Sequence, residues 1–119
     1  MNTQQVADRL AALCREGKNM DAINELYDDK IVSQEMKGMP MERAEGIEAV
    51  KGKSEYWYNS VEEIHGVEIS DAIVTGNFFS IAMEMDVTYK EHGRTNMHEI
   101  AVYEVRNGKI VFEQFFYNM

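Results

Sequence analysis

Cysteine, proline and positive charge are all scarce in this chain. The single cysteine, Cys14, leaves no partner for a disulfide within one chain and no set of thiolates for a zinc site. Its setting reads as that of a small apolar residue on a helix. One proline, and no apolar run of the roughly 18 residues that a membrane-spanning helix needs, describe a soluble globular chain with no membrane span. Bases number 12 against 21 acids, for a net charge of -9, and they form no cluster. Nucleic acid and anionic membrane surfaces are therefore not expected partners. The opening residues MNTQQVADRL lack the charged start, long apolar stretch and small-residue cleavage site of a secretory signal, so a cytoplasmic location is expected. No Gly-x-Ser-x-Gly elbow, Gly-rich phosphate loop or Cys with a plausible His partner occurs. What remains is a chain of 119 residues, 45% hydrophobic, long enough to bury one core as a single domain over residues 1–119.

The first half carries helical spacing. Val6, Leu10 and Leu13 recur at steps of four and three, and Asn2 with Gln5 three residues on has the form of a capping box. Gly17 ends that helix. Asn19 is placed to cap a second one, with Asp21 in its first turn, an apolar stripe of Ile23, Leu26 and Tyr27, and Asp28 and Asp29 terminating it. A short strand is expected from Lys30 to Gln34. The stretch EMKGMPMERAEG then reads as an irregular, mobile connection rich in Met36, Met39 and Met41. Ile47, Val50, Ser54, Trp57 and Val61 step by three and four, which predicts a long helix over about Ile47 to Asn59.

The second half reads as a meander of strands. A Val- and Ile-rich segment from Glu63 to Thr75 turns at Gly76-Asn77 and returns from Asn77 to Lys90 in strict alternation. Phe79, Ile81, Met83, Met85, Val87 and Tyr89 fall on one face; Ser80, Glu84, Asp86 and Thr88 fall on the other. A third strand, Thr95 to Val105, leads through Asn107-Gly108, a strong hairpin signal, into Lys109 to Tyr117. Three helices followed by long antiparallel strands predict an α+β fold with helices on one face of a curved sheet.

Three phrases in this order, ELYDDKIV at residues 25–32, EGIEAV at 45–50 and VYEVRNGKI at 102–110, resemble the SnoaL-like branch of the nuclear transport factor 2-like superfamily. The resemblance covers nearly the whole chain. It implies a cone-shaped α+β barrel whose curved antiparallel sheet wraps a long helix around a pocket, and a homodimer formed through the outer sheet face. Activities in that superfamily range from ketosteroid isomerases, polyketide cyclases, dehydratases and epoxide hydrolases to modules with no chemistry, so the fold leaves function open. The ketosteroid isomerase pattern is disfavoured here. Its basic Asp falls on Gln34, with Glu35 beside it, its strand Asp falls near Ala101, and the first helix has no Tyr.

The same resemblance puts Glu99, Ala101 and Tyr103 on the pocket side, together with Val111, Glu113, Phe115 and Tyr117. A carboxylate among Phe and Met side chains loses hydration, its pKa rises, and it can exchange a proton near neutral pH. Glu113 and Glu99 are thus the candidate acid/base residues. Tyr103 and Tyr117 are candidate donors to a carbonyl or enolate oxygen, and Trp57, Phe115, Met83 and Met85 candidate ligand contacts. The alternative for either Glu is the wet face of its strand, because a one-residue bulge reverses the parity. His65, His92 and His98 share no metal-ligand spacing, and His98, beside Glu99, must face the other side. No metal and no cofactor are expected. The expected partner is a small apolar or carbonyl-containing ligand, with a non-catalytic dimeric ligand-binding or protein-interaction module as the alternative function.

Overall fold

The computed structural model describes residues 1–118. The chain runs α1 (Thr3–Arg15), α2 (Asn19–Leu26), β1 (Tyr27–Gln34), β2 (Arg43–Glu45), α3 (Ile47–Ser60), β3 (Val61–Ile69), β4 (Ile73–Thr75), β5 (Phe78–Tyr89), β6 (Gly93–Arg106) and β7 (Lys109–Tyr117). At its start the Asn2 side-chain oxygen accepts from the Gln5 amide at 2.8 Å, while the Gln5 side chain accepts from the Asn2 amide at 2.9 Å. Two of the backbone donors that a helix leaves unpaired are thereby satisfied. Val6, Leu10, Leu13 and Cys14 form the buried face of α1.

The strands form one sheet in the order β2-β1-β7-β6-β5-β3, with β4 also paired to β5. All neighbours run antiparallel except β1 and β7, which are parallel, so the curved sheet is mixed. Asn107 and Gly108 both have positive φ, 51° and 76°, the backbone of a hairpin turn whose twist matches its strands. Gly108 is further constrained by the N-terminus, since a Cβ there would lie 3.0 Å from the Met1 carbonyl oxygen. The helices cover one face, and the core lies between that face and α1 and α2, around Leu10, Leu26, Ile31, Ile81 and Ile110.

Several local expectations are corrected. Tyr27 does not extend the α2 stripe; α2 ends at Leu26, and Tyr27 opens β1 with Asp28 and Asp29 inside the strand. The Asp28 carboxylate accepts from the Lys30 amide at 2.9 Å, a local turn-like bond that bends the strand rather than closing a helix. Asn19 does not cap α2 but is its first residue, the cap position being Lys18 with no side-chain bond. The connection before α3 includes the short strand β2, which pairs with β1. The segment from Glu63 to Thr75 is split between β3 and β4, both laid on β5. In β7 a register shift opposite Glu104 and Val105 breaks the alternation, so Ile110 is fully buried and Val111 only partly so.

Candidate functional site

Parallel pairing of β1 with β7 puts Ser33 opposite Glu113, and antiparallel pairing of β7 with β6 puts Tyr103 on the other side of Glu113. Two steps along the same face, beyond Ala101, Glu99 lies between Met83 of β5 and Tyr117 of β7. Helix α3 closes over this face with Val50, Lys53 and Trp57, spaced by three and four. Together these elements enclose a cavity of about 400 Å³ whose wall includes Glu99, Glu113, Tyr103, Tyr117, Phe115, Trp57, Met83 and Met85. Both carboxyl groups therefore lie on the inner side of their strands, despite the bulge in β7.

The two acids differ in how they are held. Glu113 is 4% exposed and both its oxygens accept hydrogen bonds, one from the Tyr27 hydroxyl and the other from the Ser33 hydroxyl at 2.7 Å. Lys53 donates to the Ser33 oxygen at 2.7 Å and pairs with Glu35 at 2.5 Å, and its ammonium lies 4.9 Å from the Phe115 ring centre. Tyr117 donates to the other Glu35 oxygen at 2.7 Å. An ammonium has donors only, so Ser33 must turn its one proton toward Glu113. The direction of the chain from Lys53 through Ser33 to Glu113 is thus fixed by valence. Glu99, by contrast, has no hydrogen-bond or ion-pair partner among the described residues, although it lines the cavity.

Electrostatics separates the pair further. Burial pushes the Glu113 carboxyl upward from the ordinary carboxylate range, while the Tyr27 and Ser33 hydroxyls and the Lys53 charge pull it back. For Glu99, burial and then the neighbouring charges of Glu35 and Glu113 raise the pKa to about 7, with Lys53 opposing. Two carboxyl groups on one wall with unequal environments are a recurring way for one site to supply both a proton acceptor and a proton donor. Burial also raises the hydroxyls of Tyr27 and Tyr103, with the Glu113 charge next, and that of Tyr117, with its bond to Glu35 next. These phenols stay protonated and remain hydrogen-bond donors.

The apolar wall is ordered by specific contacts. Tyr103 stacks on Phe79 at 4.7 Å between ring centres. The Trp57 indole donates to the Tyr89 hydroxyl at 3.3 Å, and Tyr89 donates to the Met97 sulfur at 2.7 Å. Met39 and Met41 from the connection before α3 also border the cavity. His98 projects to the outer face, where it meets Glu84 at 2.7 Å, and His65 contacts Thr88 at 2.7 Å. Among the described residues no three His, Cys, Asp or Glu side chains lie close enough to hold a metal ion. No helix there is long and apolar enough to cross a membrane.

The family described as "SnoaL-like domain" matches residues 1–117. The chain belongs to the SnoaL-like domain family. A crystal structure from Mesorhizobium loti, described as a proposed SnoaL-like polyketide cyclase, is 35% identical to this SnoaL-like domain, with 98% of this chain and all of that chain covered and a TM-score of 0.93. An NTF2-like protein from Burkholderia thailandensis is 16% identical, with coverage of 99% and 92% and a TM-score of 0.82. A protein of ketosteroid isomerase-like fold from Catenulispora acidiphila, in complex with trimethylamine, is 18% identical, with coverage of 99% and 88% and a TM-score of 0.77. The last two establish the fold alone. No curated protein sequence matches the chain.

Sequence reasoning left out four residues of the hydrogen-bonded chain in this SnoaL-like domain: Tyr27, Ser33, Glu35 as an ion-pair partner, and Lys53. A signal existed for three of them. Ile31, Ser33 and Glu35 alternate along β1 and the residue after it, and Lys53 sits three after Val50 and four before Trp57, on the inner stripe of α3. Tyr27 was missed because its helix was read one residue too long.

Proposed function

We propose that this SnoaL-like domain binds a small, mainly apolar, carbonyl-containing molecule in the cavity and moves a proton on it without a cofactor. Glu99 is the group that exchanges the proton. It is a carboxyl open to the cavity, free of protein partners among the described residues and poised near neutral pH, as general acid/base work at that pH requires. That single observation carries the reading. Glu113, whose oxygens are engaged by Tyr27 and Ser33, serves as the second carboxyl, and its charge helps hold Glu99 near neutrality, where the ionised form that accepts a proton and the protonated form that returns it are both populated. Tyr103 supplies a hydroxyl donor on the wall, the Tyr117 hydroxyl being engaged by Glu35, and Trp57, Phe115, Met83 and Met85 hold the apolar body of the ligand. The description of the Mesorhizobium relative as a proposed SnoaL-like polyketide cyclase is in keeping with a carbonyl substrate.

Abstraction of a proton next to a carbonyl is measurable without knowing the natural substrate. Simple aryl ketones in deuterated buffer should gain deuterium at the α-carbon faster with the protein than with buffer alone, as followed by proton NMR. Glu99→Gln should reduce that exchange at least about a hundredfold. Ketones that bind but exchange no faster than in buffer would leave a ligand-binding module in place of an enzyme.

The domain also pairs with a second copy through the outer sheet face. Ile100 and Phe116, opposite each other on β6 and β7, are 50% and 43% exposed. Adjacent large apolar side chains standing in water favour a self-complementary contact. The buried free thiol of Cys14, whose pKa burial raises to about 11, suits a reducing cytoplasm.

A further inference from the structure

Among the described residues, Glu99 is the charged group of the cavity wall with nothing set against it. Four charged side chains line that wall, Lys53 and the three acids Glu35, Glu99 and Glu113. The Lys53 ammonium is engaged by Glu35 at 2.5 Å and by the Ser33 hydroxyl at 2.7 Å, and Glu113 is held by the Tyr27 and Ser33 hydroxyls. The Glu99 oxygens are open, since among the described residues the Asn19 side-chain oxygen alone is both shielded and without a hydrogen-bond partner. Ala101 and Tyr103, two and four residues on, are buried, and alternation along β6 directs Glu99 to their side. An ionised carboxylate in a mainly apolar wall calls for a cation.

The adjoining wall is built of aromatic rings. Met97, on the same face of β6 as Glu99 and two residues before it, accepts from the Tyr89 hydroxyl at 2.7 Å. Tyr89 stands edge-to-face with Trp57, 6.4 Å between ring centres at 90°, and Trp57 stands edge-to-face with Tyr58, 5.1 Å at 81°. Rings at right angles make adjoining sides of a box, and all three line the cavity. The face of each ring attracts a cation, and aromatic boxes hold alkylated ammonium groups in this way. Hydrogen-bond valence narrows the cation further. A primary ammonium brings three N–H donors, and with Glu35 and Glu113 already engaged it would leave donors stranded. An ammonium bearing three or four carbon groups brings one donor or none.

We infer that the cavity binds a tertiary or quaternary ammonium ion, with its charge against Glu99 and its carbon groups among Trp57, Tyr58 and Tyr89. This goes beyond proton transfer and shares with it only the reading of the cavity as a ligand site.

Trp57 is the only tryptophan in the chain, so its fluorescence reports what enters this corner. Benzyltrimethylammonium, charged at every pH, is titrated beside its neutral carbon isostere neopentylbenzene and beside benzylammonium, at about pH 8, where Glu99 is ionised. The quaternary ion should bind the full chain at least about tenfold more tightly than benzylammonium. Glu99→Gln should weaken the quaternary ion at least about tenfold and neopentylbenzene by less than about twofold. Tyr58→Leu, which leaves both Glu99 and the Trp57 probe in place, should weaken the ion about fivefold and the isostere by less than about twofold. The assignment is overturned if benzylammonium binds as tightly as the quaternary ion, or if either variant changes the ion and the isostere alike. Ketone deuterium exchange in a protein that does not bind the quaternary ion overturns it and leaves the enzyme standing. If neither ketones nor the ion bind, the cavity as a ligand site falls, and the ammonium site with it.

Discussion

The two faces of the hairpin formed by β6 and β7 invert the usual rule in opposite senses. On the inner face, the carboxyl groups of Glu99 and Glu113 sit among aromatic and Met side chains; on the outer face, one residue away, Ile100 and Phe116 stand in water. Each inversion costs stability in the isolated subunit. The difference between the faces lies in how that cost is offset. Inside, hydroxyls from β1 and an ammonium from α3 offset the burial of Glu113, while Glu99 has no such partner among the described residues; outside, Ile100 and Phe116 stay half exposed.

Breaking the compensated acid should have the largest effect. Glu113→Ala strands the Tyr27 and Ser33 hydroxyls and opens a void, and should destabilise the fold by about 3 kcal/mol in urea unfolding. Glu113→Gln, which keeps the shape and one acceptor, should lose about half as much. Equal losses would mean that the hydroxyls contribute nothing beyond packing.

Next comes the pH response of the uncompensated acid. The folded pKa of Glu99 is raised from 4.5 to about 7, so the folded state binds its proton more tightly than the unfolded state does. Its contribution to stability is full below about pH 4.5 and is lost as pH rises toward 7. A shift of this size corresponds to roughly 3–4 kcal/mol. Glu99→Gln mimics the protonated form, so the variant should match the original protein in mild acid and exceed its stability by about that amount above neutrality. Parallel pH curves for the two proteins would place Glu99 in contact with bulk water.

The smallest effect should fall on the outer face. Replacing Phe116 or Ile100 with Glu should leave the urea midpoint of the isolated subunit nearly unchanged but raise the dimer dissociation constant at least about tenfold in analytical ultracentrifugation. An unaltered association state would remove this face from the assembly.

The elements themselves were largely readable from the chain. Steps of three and four located the three helices, strict alternation located β5, and Asn107-Gly108 fixed the last hairpin. Errors gathered where neighbours far along the chain overrule local preference. Tyr27 satisfies a helix pattern yet opens β1, where its hydroxyl reaches Glu113, and Asn19 has the form of a cap yet is the first residue of α2. The bulge in β7 was equally invisible, since register depends on the partner strand as well as on the strand's own residues.

By itself, then, the sequence determined the α+β class, the alternation that separates an apolar face of β5 from a polar one, and the presence of a carboxylate, Glu113, in an aromatic run. Those properties follow from local periodicity. Only the tertiary structure decided that Glu113 is held by Tyr27 and Ser33, with Lys53 donating to Ser33, while Glu99 is left unpaired among the described residues. Hydrogen-bond partners 80 and 86 residues away are chosen by strand pairing and helix packing, which no spacing along the chain records.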